Sequence, residues 1–204
     1  RSRFTATHSS GVAASAEKLA KLSGLDDSQA KKVRIAGYLH DIGKLAVPEA
    51  ILEKNGALDL TEWRTIRSHT YYTFEILDAV EGLQDIAAWA ADHHEHLNGE
   101  GYPFRHTEGK LALESRILAV ADVFTALTED RPYRAGMEAG KVRTILGEMV
   151  TAHKLDAEVV GMLLDNYAEM EAERRAAQLA EQIELSDFWD RARADMGREG
   201  VTTA

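Results

Sequence analysis

Two histidine segments carry most of the chemistry this sequence could do: His40-Asp41 with Gly43-Lys44 close behind, and His93-His94-Glu95 running into a loop punctuated by Gly99, Gly101 and Pro103. Imidazole nitrogen and carboxylate oxygen are borderline-to-hard ligands, and one carboxylate can bridge two cations while histidines fill their outer positions. In a chain with eight histidines a histidine–aspartate pair arises easily by chance. The doubled histidine is harder to dismiss. Neighbouring residues on a helix diverge by about 100°, so His93 and His94 serve one centre together only where a helix is ending. The chain has no cysteine, which excludes disulfides, thiolate zinc sites and cysteine nucleophiles. A bound metal must take nitrogen and oxygen ligands, which favours iron, manganese or zinc.

The elements that position these residues read as helices nearly throughout, interrupted by only three prolines. The pattern predicts an all-α fold with helices over about 4–23, 26–41, 48–54, 59–79, 83–95, 113–129, 138–153, 156–184 and 186–196, and no strand. Asp26 with Gln29, and Asp59 with Glu62, have the spacing of capping boxes. His69 falls inside the 59–79 helix, the doubled histidine ends the 83–95 helix, and residues 96–112 form an ordered loop or hairpin. Trp63, Trp89 and Phe124 are expected in the core. The stripe Tyr167, Met170, Leu179, Ile183, Phe188 and Trp189, broken by Arg174, is expected to pack back on the bundle rather than form a coiled coil. His96, His106 and His153 have no motif partner and read as surface residues.

In order along the chain stand His40-Asp41 with Gly43-Lys44, His69, His93-His94-Glu95, Gly99 with Gly101-Tyr102-Pro103, and Ala121-Asp122-Val123-Phe124 leading to Asp130-Arg131-Pro132-Tyr133-Arg134. This series resembles the HD-GYP family, bacterial metal-dependent phosphodiesterases that open cyclic dinucleotides such as cyclic di-GMP, over about residues 4–160. The resemblance implies an HD-superfamily helical bundle around a central binuclear metal site. Asp41 would bridge two divalent ions, with His8, His40 and Asp122 around one and His69, His93 and His94 around the other. Iron or manganese is expected there, with zinc as a further choice. Such a pair, about 3.5–4 Å apart, yields hydroxide at neutral pH and stabilises both oxygens of an in-line displacement. The same resemblance assigns Lys44, Arg131 and Arg134 to substrate binding, Lys44 also to catalysis beside Asp41, and Tyr102 to the edge of the pocket. Lys44 shares a face with His40 if the helix persists that far, and guanidinium forks suit phosphate or a guanine edge. Two positions depart from the family pattern. Phe4 stands where many members carry a glutamate that supports a third metal, and Asn98 where the loop commonly has aspartate.

These motifs divide the chain into a catalytic domain, 1–160, and a C-terminal helical extension, 161–204. The net charge of −10 argues against a polymeric nucleic acid as partner. Residues 156–204 hold 12 acids and 5 basic residues, net −7, which leaves −3 for residues 1–155, so local cations and metals must attract an anionic substrate. No apolar run is long enough for a membrane segment, and the first residues lack a signal peptide. The reading is a cytoplasmic domain cut from a longer protein with an upstream sensory or receiver domain; a homodimer is left open. The function expected is hydrolysis of cyclic di-GMP to linear pGpG and on to GMP. Two alternatives stand beside it: a phosphohydrolase acting on another nucleotide such as cyclic GMP-AMP, and a degenerate module that binds a cyclic dinucleotide or a protein partner without turnover.

Overall fold

A computed structural model describes residues 3–54, 56–130 and 135–199. Ten α-helices are found among them: α1 (Arg3–Leu22), α2 (Asp27–Leu39), α3 (Glu49–Leu52), α4 (Leu60–Arg67), α5 (His69–Asp78), α6 (Gln84–Ala91), α7 (Leu113–Thr128), α8 (Ala139–Thr151), α9 (Ala157–Asp165) and α10 (Tyr167–Glu199). Single 3₁₀ segments follow α2 (Ile42–Ala46) and α6 (Asp92–His94), and a third, Glu108–Lys110, precedes α7. The described residues form no strand, only one antiparallel bridge between Asn98 and Thr107 that pins the loop before α7. The fold is all-α, as the periodicity predicts.

Side chains start these helices where the sequence places them. Asp26 accepts from the Gln29 amide at 2.8 Å. Asp59 accepts from Thr61 and Glu62 at 2.7 and 2.8 Å while Glu62 accepts from the Asp59 amide at 2.9 Å, a complete capping box. α1 lies at the hub and packs on α2, α7 and α10. Val12, Ala16 and Leu19 of α1 meet Val33 and Ala36 of α2 and Ile117, Leu118 and Phe124 of α7 in one buried cluster. Each large apolar side chain buried there contributes on the order of 1.5–3 kcal/mol, and together they hold α1, α2 and α7 in fixed register.

Three expectations change. The 59–79 helix is two helices, α4 and α5, which meet at Ser68, so His69 opens α5 rather than lying inside a longer helix. The tail breaks at Asn166 rather than near 185. Its stripe docks only at its beginning: Met170 is fully buried and Tyr167 nearly so, but Leu179, Ile183, Phe188 and Trp189 are exposed. α10 runs antiparallel to α1, with Glu173 beside Lys18 and Gln178 beside Gly11, and at 33 residues against 20 it overshoots the start of α1, which leaves Phe188 and Trp189 at or beyond that end. Leu179 and Ile183 are still alongside α1 but on the exposed side of α10. Phe124 is in the core and Trp89 packs against it, but Trp63 is about half exposed. No helix of the described residues is long and apolar enough to cross a membrane.

Candidate metal centre

Three helices end in the same way. His40 follows the last residue of α2, His69 follows α4 after one intervening serine, and His93 follows α6 after one aspartate. In each case the ring Nδ1 donates to the carbonyl three residues back: His40 to Gly37 at 2.8 Å, His69 to Ile66 at 2.7 Å and His93 to Ala90 at 2.6 Å. These are last-turn carbonyls, which have no partner within their own helix. A carbonyl only accepts, so the proton of each ring sits on Nδ1 and the lone pair is on Nε2. The break at Ser68 now has a reason: it creates the helix end on which His69 is held. The negative ends of the α2 and α6 dipoles also converge here, which favours positive charge, while that of α4 is offset by the start of α5.

The three Nε2 atoms surround Asp41, the residue after His40. His69 Nε2 is 3.3 Å from Asp41 Oδ1, His93 Nε2 is 4.0 Å from the same oxygen, and His40 Nε2 is 3.5 Å from Oδ2. Lys44 Nζ donates to Oδ2 at 2.5 Å. Oδ1 is buried and makes no hydrogen bond. Lone pairs of imidazole nitrogen facing a carboxylate oxygen repel unless a cation lies between them, so the donor set fits a metal ion. On the far side, Asp122 from α7 accepts from His8 Nε2 at 3.1 Å and lies 4.0 Å from His40 Nε2 and 3.9 Å from His94 Nδ1. Two groups of donors here can each gather round one ion: His8, His40 and Asp41, and His69, His93 and His94; a third group, Asp92, Glu95 and His106, lies beneath the following loop. His94 has its side chain 33% exposed while those of His40, His69 and His93 are at most 1% exposed. The centre therefore opens on the His94 side.

Burial and charge set the protonation states. Burial lowers His40, and it drives His93 well below the ordinary histidine value with the help of His94 and His40. Burial also brings His94 down to about 4, so these rings are neutral at physiological pH. His8 differs: burial would lower it, but hydrogen bonds to Asp122 and Glu129 outweigh that and raise it to about 10. Burial would raise Asp41, yet its histidine neighbours and Lys44 hold it well below the carboxylate range. Asp122 is likewise depressed against its burial, chiefly by the His8 hydrogen bond.

The loop after His94 is fixed as firmly as the ligands. Glu95 is buried, and its Oε1 accepts from the amides of Phe104 and Arg105 at 2.7 and 2.8 Å. The Tyr102 amide donates to the His94 carbonyl at 3.1 Å, which brings the Tyr102 ring centroid to 4.9 Å from that of His94. A Cβ on Gly101 would run into the Glu95 backbone, so only glycine lets the loop fold back this closely. Gly43 plays the equal part on the other side. A side chain there would strike the His69 carbonyl and Thr73, whereas the bare Gly43 amide donates to Thr73 Oγ1 at 3.0 Å. Asn98 keeps the turn that the sequence assigns to it, accepting from the Glu100 amide at 3.0 Å.

The structure thus brings His8, His40, Asp41, His69, His93, His94 and Asp122 together, with Lys44 and Tyr102 at their margin. Lys44 gets there by a different route from the one expected: α2 stops at Leu39, and the 3₁₀ segment turns the ammonium onto Asp41. Arg131, Arg134 and the side chain of Phe4 lie outside the described residues. His106 is not a plain surface residue. Its ring stacks on Phe104 and its Nδ1 lies 3.4 Å from Asp92, beneath the loop. Sequence reasoning missed the principal role of Glu129, whose carboxylate holds His8 Nδ1 at 3.0 Å and is itself bonded by Gln178 of α10 at 3.3 Å. It also missed Arg67, two residues before His69, whose guanidinium lies over the Tyr102 ring at 5.0 Å.

Known proteins resemble this chain in sequence and in fold. The family model described as HD domain matches residues 1–159. The 3'3'-cGAMP-specific phosphodiesterase 1 of Vibrio cholerae serotype O1 is 40% identical over 81% of this chain and 38% of its own length. The cyclic di-GMP phosphodiesterase PA4108 of Pseudomonas aeruginosa is 37% identical over 68% of this chain and 34% of its own. The chain therefore spans about a third of the length of these curated relatives. Among solved structures, the HD domain of the L. monocytogenes phosphodiesterase PgpH covers 91% of this chain and 93% of its own at a TM-score of 0.53 and 19% identity, a likeness of fold.

Proposed function

From the premise that this chain belongs to the HD domain family, we propose that it is a metal-dependent phosphodiesterase that opens a cyclic dinucleotide, cyclic di-GMP first, to the linear product and then to the mononucleotide. The observation that carries this reading is the ring of Nε2 lone pairs around a buried, unsatisfied Asp41 oxygen. In it Asp41 would serve both divalent ions, His8, His40 and Asp122 would hold one, and His69, His93 and His94 would hold the other. Iron or manganese suits this nitrogen-and-oxygen set. Ions held there supply hydroxide at neutral pH and charge against the phosphoryl oxygens.

The chain's own residues do the rest. The backbone bonds of His40, His69 and His93 fix ring orientation in advance, so the donors need no rearrangement. Lys44 brings a positive charge beside Asp41, where it faces the phosphate of a substrate entering from the His94 side. Tyr102 walls that entrance. Arg131 and Arg134 are proposed as phosphate or base contacts on sequence grounds. A second reading, 3'3'-cyclic GMP-AMP as the substrate, is favoured by the relative that matches at 40% identity, which bears that specificity in its name.

The test is metal analysis of anaerobically purified protein together with chromatography of products from cyclic di-GMP and cyclic GMP-AMP. Wild type is expected to carry two ions per chain and to linearise at least one of the two, and Asp41→Ala to lose both metal and turnover. An Asp41→Ala protein that kept a tenth of wild-type turnover with metal bound would sink the two-ion mechanism.

A further inference from the structure

A cyclic dinucleotide carries two phosphodiesters, and the centre described above deals with one of them. The second must also leave water at the mouth of the site, where an acidic protein offers little attraction. Arg67 stands at that mouth. It ends α4, is exposed, and places its guanidinium over Tyr102 at 5.0 Å and near Trp63 at 5.9 Å. Tyr102 in turn lies against His94, the one ligand imidazole of its group that faces outward. Arg67 is therefore one ring's breadth beyond the open edge of the centre.

Two features make this arginine a receptor rather than a surface charge. Among the described residues no carboxylate lies within ion-pairing distance of it, whereas Arg34, Arg116 and Arg175 each meet one. The Tyr102 ring lies within cation–π range of the guanidinium, whose planar fork of N–H donors suits phosphate. The shelf beneath it is rigid, because Tyr102 is tied to the His94 carbonyl and the following residues to Glu95.

Resting on the reading of function given above, we propose that Arg67, supported on Tyr102, binds the phosphodiester of the cyclic dinucleotide that is not being cleaved. The experiment uses the metal-loaded protein and two readouts, steady-state kinetics and equilibrium binding of cyclic di-GMP and cyclic GMP-AMP by calorimetry. Arg67→Ala is expected to raise KM and Kd about 10- to 150-fold, the loss of one charge-assisted contact. Bound metal should stay at the wild-type stoichiometry, and Arg67→Lys should recover part of the loss because it returns charge but not the planar fork. KM and Kd within twofold of wild type in Arg67→Ala would overturn the proposal while leaving the catalytic reading intact. Binding without turnover in wild type, weakened in Arg67→Ala, would uphold Arg67 and overturn the catalytic reading. A wild-type protein that neither bound nor cleaved either nucleotide would overturn both.

Discussion

At the scale of single residues, His8 is the proposed ligand whose state has most to change. In the metal-free protein it is raised to about 10 by Asp122 and Glu129, so at pH 7.5 it carries two ring protons. A cation can take Nε2 only after one of them leaves. Loading the protein with manganese at pH 7.5 should therefore release about one proton from His8. Calorimetry in buffers of different ionisation enthalpy measures this, and His8→Gln should abolish the release. Equal release from the variant would mean that His8 stays an ion-paired side chain and not a ligand. His40, His69 and His93 behave differently because backbone carbonyls have already chosen their tautomers.

At the scale of elements, the centre depends on a helix outside the matched family region. Gln178 of α10 bonds Glu129, which orients His8. Removing a partner that orients a metal-bound histidine typically costs 10- to 100-fold in metal affinity. Glu129→Gln should therefore weaken binding at the His8 position by about that factor and spare the His69, His93 and His94 group, which competition with a chelating dye can resolve into two affinities. Loss of both sites in equal measure would contradict the division into two groups. How far the sequence announced all this depends on the length scale of the signal. Capping at Asp26 and Asp59 is local and was legible. So was the need for a helix end at the doubled histidine. The split at Ser68 was not, because Ser68 keeps helical dihedrals of −66° and −12° and no proline or glycine marks it. Glu129 and Gln178 were illegible for another reason: their partners lie 121 and 49 residues away, and one sequence carries no trace of such pairings.

At the scale of the whole molecule, the ligands come from α1, α7 and the ends of α2, α4 and α6, so their titration acts on the entire bundle. His94 falls to about 4 in the fold from an ordinary 6.5. Between pH 6.5 and 4 the unfolded chain thus binds more protons, and stability drops as pH falls through that window. His40 and His93 are lowered as well and act in the same direction; Asp92, raised to about 6 chiefly by burial, opposes them. His8 acts on the other side, because the stability it contributes is complete below 6.5 and is lost as pH rises through about 10. Thermal melts of the metal-free protein should show a maximum near pH 6.5 with lower melting temperatures at pH 4.5 and pH 9. A melting temperature that climbed steadily from 6.5 to 9 would show that the His8 assignment is wrong.

The convergence of three helix C-termini on two buried carboxylates dictates a sequence of events. Until cations enter, the Asp41 and Asp122 carboxylates and the last-turn carbonyls around them favour a cation over a doubly anionic nucleotide at short range. Metal loading reverses the local sign of the field. Under the proposed function, ions therefore enter before the nucleotide, and the supply of metal gates turnover however abundant that nucleotide becomes.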